Sequence, residues 1–230
     1  MKLQKLTESG QSFAKRRYDD ACGTAHALDL IGERWALLVM RELMLGPKRF
    51  SDLRGDLPGI SANVLTQRLE GLESAGLLVR RRLPPPASAQ VYELTPWGYE
   101  AEPIVQSLGK WAARSPAHDP TLPISATSIM LSFRTMFDPG RAGDFKAQIG
   151  FRLGAESFRA KVGDGRFETA RGETEGADAI FEGTAQGLAA FIYGGQPPQV
   201  LEAAGILRVE GDQDVAARFA TLFPLPPKVH

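Results

Sequence analysis

The chain has 230 residues, 43 % hydrophobic and 23 % charged, with a formal net charge of zero. That is the composition of a globular protein with room for two ordinary domains and a real core, and its bulk charge announces no polyanionic partner. A single cysteine excludes an internal disulfide framework, the N-terminus lacks the apolar core of a signal peptide, and no apolar run has the length of a membrane span. The expectation is a cytoplasmic protein without a membrane partner.

The charge is distributed unevenly. Residues 1–118 carry 16 basic and 13 acidic side chains, residues 119–230 carry 11 and 14, and the stretch Arg34–Arg82 carries 9 and 5. This asymmetry gives modest support to polyanion binding by the first half.

Residues 1–20 read as a polar arm. A helix is expected from near Thr24 to Gly32. A second is expected from Arg34 to Leu45; it is apolar on most sides and so buried, and Gly46-Pro47 end it. Ser51 is placed as the cap of a short helix through Leu57, and Pro58-Gly59 turns the chain. Ser61 caps the next helix, to about Ala75, in which Leu65, Leu69 and Leu72 repeat at i, i+4, i+7 as the buried stripe. Asn63, Gln67, Glu70 and Ser74 fall on the opposite side, with Thr66 on its flank.

Leu77–Leu83 and Val91–Leu94 read as strands joined by a projecting tip, PPPASAQ. Thr95 is expected to cap one helix from Trp97 to Ala113 with Ile104, Val105, Leu108 and Trp111 as its apolar face. Three prolines from Ser115 to Pro123 mark a linker. Beyond it a helix is expected at 125–137. Strands follow at 145–153, 156–162, 166–171 and 178–183, with a Gly163-Asp164-Gly165 hairpin turn. Helices at 185–193 and 197–204, a strand at 206–210 and a helix at 213–222 close the chain.

Helix, turn, helix and basic hairpin in that order is the plan of a winged helix-turn-helix, and double-stranded DNA is the expected partner. Asn63, Thr66 and Gln67, near the N-terminus of the Ser61-capped helix, have the side-chain types that read base edges. Arg68, nearer the leucine stripe, suits a phosphate or an acidic neighbour. In the hairpin, Arg80 and Arg82 share one strand face and Arg81 takes the other, an arrangement able to lie along phosphates. Lys48, Arg49 and Ser51 are further candidates before and within the short helix. The plain alternatives are an amphipathic surface helix and a solvated charge run.

Cys22 is either an inert small residue or a thiol sensor placed before the first helix. His26, His118 and His230 show no metal spacing, and neither a phosphate loop nor a nucleophile elbow occurs. No catalysis, metal or cofactor is expected.

An ordered set of residues resembles the HxlR family of winged-helix regulators. It runs through Cys22, Leu28-Asp29-Leu30-Ile31-Gly32, Arg34-Trp35 and Arg41-Glu42-Leu43. It continues in Gly46-Pro47, Arg49-Phe50-Ser51-Asp52-Leu53, Leu57-Pro58-Gly59-Ile60-Ser61, Leu65-Thr66-Gln67-Arg68-Leu69 and Gly76-Leu77, and ends in Tyr92-Glu93-Leu94-Thr95 and Gly98. The resemblance implies a homodimer joined through the terminal helices of that domain, DNA contacts from its third helix and wing, and a redox-sensing role for Cys22 in some members. Gly23 follows that cysteine where many relatives have proline.

The second half resembles the sterol-carrier-protein-like fold, on Gly163-Asp164-Gly165, Ala177-Asp178-Ala179, Leu188–Gly194 and the run Ala203–Asp212. That resemblance implies an apolar small-molecule ligand in a cavity, which Phe133, Phe151, Phe158, Phe181 and Phe191 would line unless they simply fill a core. The expected class is therefore α+β. It comprises an arm (1–20), a winged helix-turn-helix domain (21–114), a linker (115–123) and an α+β sterol-carrier-like domain (124–230). The function expected is transcriptional regulation by a DNA-binding dimer modulated by an apolar small molecule. The competing reading is a lipid or small-molecule carrier whose helical half serves dimerisation.

Overall fold

The computed structural model describes residues 18–85 and 88–229; the expected arm, up to residue 17, the Pro86-Ala87 part of the projecting tip and His230 lie outside the described residues. The first half contains α1 (Gly23–Ile31), α2 (Ala36–Leu43), α3 (Phe50–Asp56), α4 (Ala62–Ser74), β1 (Leu78–Arg82), β2 (Gln90–Leu94), α5 (Pro96–Tyr99) and α6 (Glu102–Ala112). β1 and β2 form an antiparallel hairpin in which Arg80 faces Tyr92 and Arg82 faces Gln90 across the strands. Lys48 adds a short bridge to Tyr92, bracing the hairpin against the loop before α3.

Local chemistry explains the element ends. Ser61 Oγ accepts from the Val64 amide at 3.3 Å, and Gly76 takes φ +74° after α4. Trp35 adopts φ +78°, unusual for a bulky residue, so α2 begins at Ala36 rather than Arg34. Its indole reaches the turn at Gly59, which lies between α3 and α4.

Two local expectations are corrected. Arg49, not Ser51, is the cap residue of α3: the Asp52 carboxylate reaches back to the Arg49 amide at 3.2 Å, while Ser51 lies inside the first turn and donates to Asp52. The single helix expected from Trp97 to Ala113 is two helices, because Pro103 cannot donate into the preceding turn and Ala101 becomes the start of a new one.

The second half contains α7 (Ala126–Met136), α8 (Pro139–Ala142), β3 (Ala147–Leu153), β4 (Glu156–Gly163), β5 (Arg166–Arg171), β6 (Ala179–Gly183), α9 (Ala185–Ile192), α10 (Pro198–Ala203), β7 (Leu207–Gly211) and α11 (Gln213–Ala220). Its five strands are ordered β5-β4-β3-β6-β7, with only the β3–β6 pair parallel. α7, α9 and α11 pack on one face of this sheet. Ile149, Phe151, Phe158, Ala160 and Phe181 point into that layer and are buried, whereas Gln148, Arg152, Arg159 and Glu182 alternate to the other face and pair there.

The phenylalanines expected to line a cavity fill the interior instead. Phe133, Phe151, Phe158 and Phe181 have no exposed surface, and Phe191 is 9 % exposed. Phe133 and Phe151 lie 6.0 Å apart, Phe151 and Phe181 5.7 Å, Phe181 and Phe191 5.6 Å, and Phe219 meets Phe133, Phe151 and Phe181 at 5.8–5.9 Å. Rings at these spacings leave each other no room for a guest. Two surface clefts, of about 200 and 390 Å³, have none of the five in their linings.

The two halves share one continuous buried cluster. α7 packs against both α2 and α6. Arg134 on α7 holds both oxygens of Glu102 on α6 at 2.7 and 2.8 Å and also donates to the Thr169 carbonyl of β5. No helix among the described residues is long and apolar enough to cross a membrane.

Candidate nucleic-acid interface

α4 is anchored on one side only. Leu65, Leu69 and Leu72 are at most 1 % exposed, and each buried leucine contributes roughly 2 kcal/mol to holding the helix in place. With that stripe fixed, the opposite side must face outward: Ser61, Asn63, Thr66, Gln67, Glu70 and Ser74 are all exposed. Asn63, Gln67, Glu70 and Ser74 follow each other at i, i+4, i+7 and i+11 and form one line along the helix. Arg68 leaves that line; it is half-buried and pairs with Glu33 at 3.2 Å, the acidic neighbour allowed for in its sequence.

The hairpin arginines are exposed, but they are not equally available. Arg80 pairs with Glu73 of α4 at 2.9 Å and stands over the Tyr92 ring at 5.8 Å. Arg81 pairs with Glu93 across the hairpin at 2.8 Å. Arg82 forms no ion pair among the described residues and makes only a long hydrogen bond to the Ser88 carbonyl at 3.4 Å. Arg49 and Ser51 are exposed at the start of α3.

Lys48 does not belong to this surface. It is 3 % exposed, and its ammonium is held by Glu42 at 3.2 Å, Asp56 at 2.5 Å and Glu156 at 3.2 Å. Glu42 is wholly buried and also accepts from Arg41 at 2.7 Å and from Ser125 at 2.8 Å, while Arg171 pairs with Glu156. Burial alone would pull the Lys48 pKa down; Glu42 foremost, with Asp56 and Glu156, outweighs it, and the net shift is upward. Burial lifts the Asp56 carboxyl above its usual range against the pull of Lys48. A phosphate contact is excluded for Lys48 by this enclosure: the residue ties α2 and α3 to the start of β4 in the second half.

Three exposed apolar side chains, Ile104 (55 %), Leu108 (46 %) and Trp111 (71 %), form a line along α6. Leu28 on α1 and Trp97 on α5 are exposed as well. Sequence periodicity identified the α6 residues but not their outward placement, which the packing of α6 against α7 decides.

Cys22 is exposed at the cap position of α1, and the Thr24 backbone amide foremost, with the Thr24 side chain and the Ala25 amide, holds its thiol below the ordinary range. Among the described residues no group of three or more His, Cys, Asp or Glu side chains could hold a metal.

Known proteins resemble the first half of this chain. A model of the HxlR-like helix-turn-helix family matches residues 30–119. The HTH-type transcriptional regulator YvaP of Bacillus subtilis (strain 168) is 36 % identical over 86 residues, which make up 37 % of this chain and 80 % of that protein. The HTH-type transcriptional regulator YodB of the same organism is 36 % identical over 86 residues, 37 % of this chain and 77 % of that one. The solved reduced form of YodB from B. subtilis is 33 % identical, covers 43 % of this chain and 98 % of its own, and superposes with a TM-score of 0.38. By the family model and by relatives covered over most of their length, the chain belongs to the HxlR-like helix-turn-helix family.

Proposed function

We propose that this helix-turn-helix regulator acts as a homodimer that reads a two-fold operator in double-stranded DNA, α4 lying in the major groove and the β1–β2 hairpin along the flanking phosphates. The observation that carries the reading is the one-sided anchoring of α4: its leucines are sealed inside while its amide and hydroxyl side chains stand free over the helix's outer face. Asn and Gln can each pair bidentately with adenine, and Thr can contact bases or the backbone. Arg82, Arg49 and Ser51 supply phosphate contacts, with Arg80 and Arg81 joining once their carboxylate partners yield.

The dimer reading rests on α6. A helix that presents isoleucine, leucine and tryptophan to water along one line leaves apolar area that a second copy would cover. A two-fold dimer would place two α4 helices about one DNA turn apart, roughly 34 Å. We read the second half as sterol-carrier-protein-like. Its role here is structural support of α2, α3 and α6, since the phenylalanines proposed as ligand contacts are consumed by core packing.

The test is titration of purified protein against a selected operator and against random DNA at fixed salt. Replacing Asn63 and Gln67 with Ala should reduce the preference for the operator on the order of tenfold or more and leave random-DNA affinity nearly unchanged. Equal losses on both would remove these amides from base reading.

A further inference from the structure

Glu70 has no structural use in the fold. It is exposed on α4, and no cation lies within ion-pairing distance among the described residues, whereas Glu73, the other acidic residue of the helix, holds Arg80. Its neighbours one turn away are Thr66 and Gln67 before it and Glu73 and Ser74 after it. None is basic, so the carboxylate gains no helical ion pair and meets a like charge at i+3. It caps nothing, since α4 starts at Ala62 and ends at Ser74. On the face turned toward a polyanion, an uncompensated negative charge weakens every phosphate-driven association. A carboxylate there is tolerable only if the groove offers it hydrogen-bond donors.

The major groove offers such donors at defined places. A carboxylate accepts and does not donate, and the exocyclic amine of cytosine is the group it pairs with best. Glu70 lies in line with Asn63 and Gln67. At 1.5 Å of rise per residue the span from 63 to 70 is about 10.5 Å, close to three base-pair steps of ~3.4 Å. Three side chains on one line thus reach across four base-pair positions, two of them served by amides and the last by an acceptor.

We infer that Glu70 is a specificity-determining residue that selects cytosine at one position of each operator half-site and excludes bases presenting only acceptors there. The inference rests on the reading of α4 as the base-reading helix and adds to it a residue whose charge opposes binding in general and favours it at one base.

The experiment is selection of bound sequences from a random duplex pool by the wild-type chain and by Glu70→Ala and Glu70→Gln, with affinities for the enriched sequence and for random DNA measured at one salt concentration. Because the side chain is exposed, both variants should fold, and circular dichroism checks that. The wild type should enrich a cytosine next to the positions lost in Asn63→Ala and Gln67→Ala. Glu70→Ala should make that position degenerate, lowering operator preference on the order of tenfold while raising affinity for random DNA. Glu70→Gln should move the preference toward adenine. Retention of the same base preference by Glu70→Ala, with affinity rising evenly on all sequences, overturns the inference and leaves Glu70 as a rim charge. Enrichment of no sequence by the wild-type chain overturns both this inference and the reading function of α4.

Discussion

The two halves of this molecule use their large side chains in opposite ways. In the first half, the polar line of α4 and the apolar line Ile104, Leu108 and Trp111 of α6 both turn outward, the one on a helix whose leucines are sealed inside, the other on a helix laid against α7. In the second half the big side chains converge: Phe133, Phe151, Phe181 and Phe219 meet with no exposed surface, Phe158 is equally sealed, and the charges on the sheet's other face pair among themselves, Arg152 with Glu182 and Glu210. The first half is thus built around groups that need a partner, and the second around groups that already have one. The difference supports the proposed division, recognition by the first half and support by the second, and the buried Lys48 cluster and the Arg134 clamp join the two.

The largest effect that would sharpen this contrast lies in the closed half. Phe133→Ala should destabilise the protein by about 3–5 kcal/mol in denaturant unfolding, because rings packed on all sides collapse poorly into the space left. A loss under 1 kcal/mol would mean the interior has slack and would reopen it as a ligand site.

Next comes the joint. Lys48→Met removes the one ammonium shared by Glu42, Asp56 and Glu156 and should cost about 3 kcal/mol, since buried carboxylates are left under-compensated. The pH dependence separates this from a lost DNA contact. The Lys48 pKa is raised on folding, so its stabilisation is complete below its ordinary value of 10.5 and is lost as pH climbs through the higher folded value. Asp56, raised from 3.8, has the same sign in an acidic window, its contribution fading as pH rises above that value. Comparing wild type and Lys48→Met in alkaline unfolding isolates the first term: the difference between them should shrink above pH 10.5. A variant of unchanged stability whose DNA affinity loses its salt dependence would return Lys48 to the phosphate contacts.

On the open side, Trp111→Glu places a charge in the most exposed of the apolar residues of α6. Burial of a side chain of this size is worth about 1.5–3 kcal/mol, so the dimer dissociation constant should rise by tenfold or more in sedimentation equilibrium. An unaltered assembly state would move the two-fold contact away from α6.

Sequence made some of this plain and hid the rest for identifiable reasons. α4 was legible because three leucines, a serine cap and a terminal glycine are local signals that agree. Apart from α8, which was not expected, the second-half strands and helices lie within a residue or two of the expected ranges for the same reason. The fate of Lys48 was hidden, because Ser125 and Glu156 lie far along the chain and a lysine before a helix reads as a surface charge. The phenylalanines were visible as apolar, yet spacing along a strand does not tell a cavity wall from a filled core. Two misses had signals on view: Pro103 marked the break before α6, and Asp52, three residues after Arg49, marked the true start of α3. The pairing of Arg80 with Glu73 and of Arg81 with Glu93 had a weaker signal, since it depends on hairpin register and the helix's rotation.

That pairing sets the smallest expected effect and the one that divides the hairpin most finely. Each arginine that neutralises a phosphate should contribute about 0.9 to the slope of log affinity against log salt. Arg82, without a carboxylate partner among the described residues, should contribute nearly that amount, so Arg82→Ala should flatten the slope by about 1. Arg80 and Arg81 must first release Glu73 and Glu93, which returns a charge to solution beside the DNA, so Arg80→Ala and Arg81→Ala should each flatten it by less. Glu73→Gln frees Arg80 and should restore its full share, raising affinity on operator and random DNA alike. Titrations across a salt series give all four slopes. Equal slopes for the three arginine variants would mean the ion pairs do not compete with phosphate, and an unchanged slope in all of them would take the hairpin off the DNA altogether.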